Sequence, residues 1–310
     1  MPKWTAADIP DQSGRTVLIT GANSGLGLES ARALVARGAR VLMACRSEER
    51  GTAAVKDVAG AGPGTAELVP LDLADLASVR KAAAEVRERT GDALDVLLNN
   101  AGVMATPQRT TADGIELQVG TNHVGHAALT WLLMPALRAR PGARVVTVSS
   151  VLHRLGTPDP DDLGGAGRRY DAWGAYGRSK TANLQFAFEL DRRARAAGLD
   201  LVSVAAHPGL SSTELTGNMM RSRGARWLAP VGTAFVKVMG QPPEGGARPQ
   251  LYAATAPGVE GGQFYGPDGF QQLRGHPRQV RALPHATDPA AAARVWEATA
   301  ELSGVAPDPA

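Results

Sequence analysis

The feature that most constrains this chain is the regular alternation of short apolar runs with stretches of helical periodicity. RTVLIT is followed by a helix expected at about 25–37, ARVLMAC by one at about 47–59, and AELVPLDL by one at about 75–89. ALDVLLNN then leads to a helix at about 113–138, ARVVTVSS to one at about 174–197, and LDLVSVAAHPG closes the series. Strands that are apolar almost throughout have both faces covered, and helices between them are the crossovers that parallel pairing requires. The pattern therefore predicts an α/β fold with a doubly wound parallel sheet and helices on both faces.

The chain has 310 residues, is 44% hydrophobic and carries 33 basic against 30 acidic side chains without a long basic run. That is enough apolar material for one large core, and it excludes the charge footprint of a nucleic-acid binder. Cys45 stands alone, so no internal disulfide can form, as suits a reducing compartment. The start of the chain reads as no signal peptide, and no apolar run reaches the roughly 18 residues of a membrane span. The expectation is a cytoplasmic protein without an integral membrane segment. Abundant Ala, Gly, Arg and Pro associate with GC-rich bacterial genomes, which is not a physical constraint.

Two segments break the rhythm. Residues 151–172, rich in Gly, Pro and Asp, read as a long loop between a strand and a helix. At about 211–243, Met219, Met220, Trp227, Phe235 and Met239 interleave with Arg221, Arg223, Arg226 and Lys237. This predicts short amphipathic helices that cover a site or pack on the protein's own core.

TGANSGLG, residues 20–27, joins the first strand to a helix. Gly21, Gly25 and Gly27, with Asn23, Ser24 and Leu26 between them, would let backbone N–H groups at a helix N-terminus approach a pyrophosphate. At the tip of the second strand, where an acid would hold the ribose hydroxyls of NAD, the chain reads ACRSEER. Arg46 offers instead a guanidinium suited to a 2′-phosphate, which favours NADP(H) over NAD(H). Asp72, followed by Leu73 at the end of the third strand, could accept from an adenine amino group or cap a helix. Asn100, Ala101 and Gly102, in NNAG, end the fourth strand where small residues can pass close to a cofactor. Tyr176 and Lys180 lie one turn apart at the start of a helix, the spacing at which a cation can act on a phenol. A free phenol titrates near pH 10, so acid–base work near neutrality takes roughly 4 kcal/mol of preferential phenolate stabilisation.

TGANSGLG, NNAG, the serine ending VVTVSS, YGRSK and HPG, in this order, resemble the short-chain dehydrogenase/reductase family over roughly residues 14–210. NNAGVMA, GTNHVGHAALT and VSSVLH further resemble its retinol-dehydrogenase-like and protochlorophyllide-reductase-like branch. The resemblance implies a single NAD(P)-binding Rossmann-like domain over residues 1–310, with a substrate-covering insertion at about 211–243 and a C-terminal extension from about 266. It implies hydride exchange between a nicotinamide cofactor and a carbonyl/alcohol pair, with Tyr176 moving the proton and Lys180 holding the nicotinamide ribose. Ser150, rather than its neighbour Ser149, would bind the substrate oxygen, and Asn122 would support a water-linked proton relay to the lysine. Pro208, Gly209, Ser211 and Thr213 would reach the cofactor from the loop after the sixth strand. The histidines at 123, 126, 153 and 207 lack metal-ligand spacing, and no metal is expected. The Met- and Trp-containing cover suggests that the small-molecule carbonyl or alcohol substrate is apolar and fairly large, and relatives commonly form dimers or tetramers through helices beside the site. The other readings are a dinucleotide-binding sensor or scaffold without catalysis and a reductase of carbon–carbon double bonds.

Overall fold

Alternation along the first strand shows how the fold is layered. In β1 (Thr16–Thr20), Leu18 points into one apolar core while Val17 and Ile19 point into the other, and all three are buried. The same holds for β2 (Arg40–Cys45), β4 (Val96–Asn99) and β5 (Ala143–Val148), so these strands bury both faces as their uniform apolarity requires. The structure, a computed structural model, describes residues 3–167, 169–210 and 241–309.

With β3 (Thr65–Pro70), β6 (Leu201–Ala206), β7 (Phe264–Pro267) and β8 (Pro277–Gln279), the strands form one sheet in the order β3-β2-β1-β4-β5-β6-β7-β8. Every pairing is parallel except that of β7 with β8. The chain winds outward from β1 to β3, returns to β4 and continues in the other direction. This leaves a crevice between β1 and β4 at the carboxyl ends of the strands, where ligands of such sheets bind.

Helices α1 (Gly25–Val35), α2 (Glu48–Val58) and α7 (Pro243–Thr255) cover one face. The other face carries α3 (Leu76–Thr90), α5 (Gly125–Arg138), α6 (Ala172–Ala196) and the C-terminal α9 (Pro289–Ser303). The stretch expected as one helix at about 113–138 is instead a short turn α4 (Leu117–Val119), a π-helical turn over Gly120–Val124, and α5. A widened turn of this kind re-aims the side chains it carries. On α9, Trp296 stacks on Phe186 of α6 at 5.3 Å and meets Trp131 of α5 edge-on at 4.9 Å, so the apolar C-terminal helix packs inside the molecule. A short α8 (Pro284–Thr287) precedes it. Among the described residues no helix is long and apolar enough to cross a membrane. The cover expected at about 211–243 falls almost entirely on residues 211–240, outside the described residues, as do Ser211 and Thr213.

Candidate active site

The crevice between β1 and β4 opens into a groove. Its floor at one end is the loop Gly21–Gly27, which feeds α1 with Ser24 at the N-cap position. Gly27 is required there, because a Cβ would meet the Gly21 carbonyl oxygen and lie 2.6 Å from Asn100 Nδ2. Asn100 in turn donates to the Thr20 carbonyl at 2.8 Å, tying the end of β4 to the loop. Asn23, Ser24, Gly25 and Leu26 line the same end, and Arg46 stands at the tip of β2. Asp72 and Leu73 line the groove beside Asn100, Ala101 and Gly102. The cap of α3 is Asp75, whose carboxylate accepts from Ala77 and Ser78 N–H. Among the described residues the Asp72 carboxylate accepts only from its own turn, through Ala74 N–H at 3.0 Å. A glycine-built cradle at a helix N-terminus, cationic side chains at one end and the Thr121 hydroxyl, buried on the groove wall with no partner among the described residues, fit a dinucleotide.

Next to Gly102, where the groove lining ends, stands a cluster of side chains that includes Lys180. Ser150 caps the short 3₁₀ turn Val151–Leu155, its Oγ accepting Leu152 N–H at 3.2 Å. Ser149 points away and donates to the Lys180 carbonyl at 2.8 Å. The chain after Ser150 then rides directly on α6, which Gly177 permits: a Cβ there would sit 2.8 Å from Gly156 N and 2.9 Å from the Leu155 carbonyl carbon. Ser150 acts on the Tyr176 phenol across this contact, pulling its pKa down. Helix α6 starts where it does because Asp171 caps it, accepting from Trp173 and Gly174 N–H. One turn after Tyr176, Lys180 sends Nζ to the Val148 carbonyl at 3.0 Å and lies 5.8 Å from the centre of the tyrosine ring.

Burial dominates the electrostatics. It pushes the Tyr176 phenol up to about 12, against the pull of the Ser150 hydrogen bond, and brings the Lys180 ammonium down to about 8.

Asn122 sits in the π turn, fully buried. Its side chain holds Val103 by both N–H (2.7 Å) and carbonyl (2.9 Å) and donates to Ser179 Oγ at 3.0 Å. Its own carbonyl accepts from His126 Nδ1–H at 2.9 Å. The imidazole must then accept at Nε2, from the Thr20 hydroxyl 2.8 Å away. Burial holds this ring neutral, down to about 3. Gly102 lies against both functional groups, its Cβ position 3.3 Å from Asn122 Oδ1 and 3.5 Å from Lys180 Nζ. In the loop after β6, Gly209 N–H donates to His207 Nδ1 at 3.2 Å and the Pro208 carbonyl accepts from Gln241 at 2.9 Å.

The groove also includes Ser47, Arg50, Val103 and Thr121, which reading along the sequence did not single out. Arg50 was legible in principle, since it follows Arg46 by four residues at the start of α2.

The short chain dehydrogenase family matches residues 15–224. Retinol dehydrogenase 13 of Homo sapiens is 38% identical over 298 residues, covering 94% of this chain and 85% of that protein. Polyprenol dehydrogenase of Mus musculus is 39% identical over 302 residues, covering 96% of this chain and 86% of that one. A crystal structure of an uncharacterized protein from Mycobacterium Paratuberculosis superposes with a TM-score of 0.79 at 41% identity, covering 98% of each chain.

Proposed function

Because the chain belongs to the short-chain dehydrogenase family, we propose that it is an NADP-dependent oxidoreductase that reduces the carbonyl group of an apolar, isoprenoid-type substrate. The observation that carries this reading is the convergence of Ser150, Tyr176 and Lys180 at the end of the groove beyond Gly102. When bound, the nicotinamide ring supplies the hydride to the substrate carbon. Ser150 would donate its hydroxyl hydrogen to the carbonyl oxygen, where negative charge develops. Tyr176, which burial keeps protonated, gives that oxygen its proton. Lys180, 5.8 Å from the Tyr176 ring centre and close to Gly102, would supply positive charge to the phenolate left behind and hold the nicotinamide ribose. Asn122 acts on this centre by fixing Val103 and the turn that holds Ser179.

A phenol held in its acid form is in the protonation state from which carbonyl reduction starts. Arg46, with Arg50 beside it in the groove, supports the choice of NADPH, since two guanidinium groups suit a 2′-phosphate. The relatives named for retinol and for a polyprenol, both isoprenoid alcohols, support the substrate class.

NADPH oxidation against aldehydes and ketones, from short polar to long isoprenoid, tests this directly. The expected result is turnover that rises with apolar chain length and is faster with NADPH than with NADH. Turnover confined to small polar carbonyls would overturn the substrate class. Tight NADPH binding with no turnover on any of them would leave a sensor.

A further inference from the structure

Beyond Gly102 the chain leaving β4 passes through Ala105, which takes a φ of +48°, a left-handed conformation that alanine seldom adopts. A buried side chain holds it there. Gln118 is fully buried, and its Oε1 accepts Ala105 N–H at 2.7 Å. One turn further along the same helical stretch, Asn122 holds Val103 by both its backbone groups. Two amides four residues apart thus clamp the segment that forms the floor beside Lys180. Gln118 differs from Asn122 in where its hydrogens go. Nε2 donates to the Tyr170 hydroxyl at 2.9 Å and to the carbonyl of Ala172, the first residue of α6, also at 2.9 Å. The Tyr170 hydroxyl then donates to the Thr106 carbonyl at 2.7 Å, which closes a ring of hydrogen bonds between the two segments.

The amide thereby uses one acceptor and both donors on backbone and side-chain groups outside its own helix. Those groups belong to the two segments that leave Gly102 and enter the helix of Tyr176, with the reacting centre between them. We propose that Gln118 is a positioning residue for hydride transfer, locking the 103–106 loop to the entry of α6 so that the floor at Gly102 and the Tyr176 hydroxyl keep one separation. This rests on the oxidoreductase reading above.

Two variants test it: Gln118→Met, which keeps the volume and removes all three hydrogen bonds, and Tyr170→Phe, which removes only the closing bonds. Backbone amide exchange is read at Ala105, NADPH affinity by titration, and kcat, KM and the primary isotope effect with deuterated NADPH. For Gln118→Met the Ala105 amide should exchange at least about tenfold faster. NADPH affinity should stay within about twofold while kcat falls about 10- to 100-fold and the isotope effect rises. Tyr170→Phe should move kcat and the isotope effect the same way by less. Unchanged exchange at Ala105 would overturn the clamp. A kcat that falls only in proportion to the folded fraction, with an unaltered isotope effect, would reduce Gln118 to a structural residue and overturn the positioning role. If Gln118→Met does not fold, Tyr170→Phe decides by the same readouts. A wild-type protein that reduces no carbonyl would sink the functional reading instead, and Ala105 exchange in the variants would still decide the clamp.

Discussion

At the end of the groove near β2, the surface consists of loop backbone and the exposed side chains Arg46 and Arg50. At the other end Ser150, Tyr176 and Lys180 are only 8%, 7% and 3% exposed. The first end is shaped by what is missing, the side chains that glycine lacks, and its charges stand in water where salt screens them. The second is shaped by what is buried: low solvent access drives the phenol up and the ammonium down, and gives each hydrogen bond its weight. Binding and chemistry should therefore separate cleanly when the two ends are perturbed one at a time.

After the proton donor Tyr176 itself, the largest separation should come from Ser150→Ala, which removes the donor to the developing oxyanion. Turnover should fall by about 10²- to 10³-fold with NADPH affinity unchanged, read by steady-state kinetics beside a fluorescence titration. Gly27→Ala attacks the opposite end. The added methyl forces the loop off the Gly21 carbonyl, and the NADPH Kd should rise by about 10- to 100-fold. Material that does bind cofactor should turn over near the wild-type rate, and a large loss of kcat at saturating NADPH would break the comparison. For Arg46→Ala we expect about a tenfold weaker grip on NADPH and an unaltered affinity for NADH, measured calorimetrically. Equal effects on both cofactors would remove the 2′-phosphate assignment.

A smaller effect sharpens the electrostatic side. With its pKa brought down to about 8, Lys180 is charged below that pH and neutral above it. Reduction should therefore be level below about pH 8 and decline by up to about tenfold per pH unit above it. In Lys180→Arg the decline should vanish from this range, whatever the absolute rate. A profile that rises between pH 8 and 10 would mean that the cation is not what supports the phenolate.

Much of the central architecture was legible. The strands β1, β2, β4, β5 and β6 announce themselves because a strand buried on both faces has no polar alternation to blur it. Both β7 and β8 escaped: FYGP and PRQ are short, and one carries both Gly and Pro. Helix α7 was hidden by two glycines and by Pro243 and Pro249, residues that argue against a helix until packing against the α1 side of the sheet overrides them. In the site, Tyr176 and Lys180 could be found because their relation is local, one turn on one helix. The π turn at Gly120–Val124 and the role of Gln118 could not, because they depend on three segments meeting, which spacing along the chain does not encode. Nor does sequence reveal that burial pushes the phenol up to about 12.

The most direct test of Tyr176 as proton donor is a single-turnover experiment on Tyr176→Phe, with NADPH preloaded and the best isoprenoid aldehyde added in excess. We predict NADPH affinity within about twofold of wild type and a carbonyl reduction rate lower by about 10³-fold. Reduction at close to the wild-type rate would contradict that role.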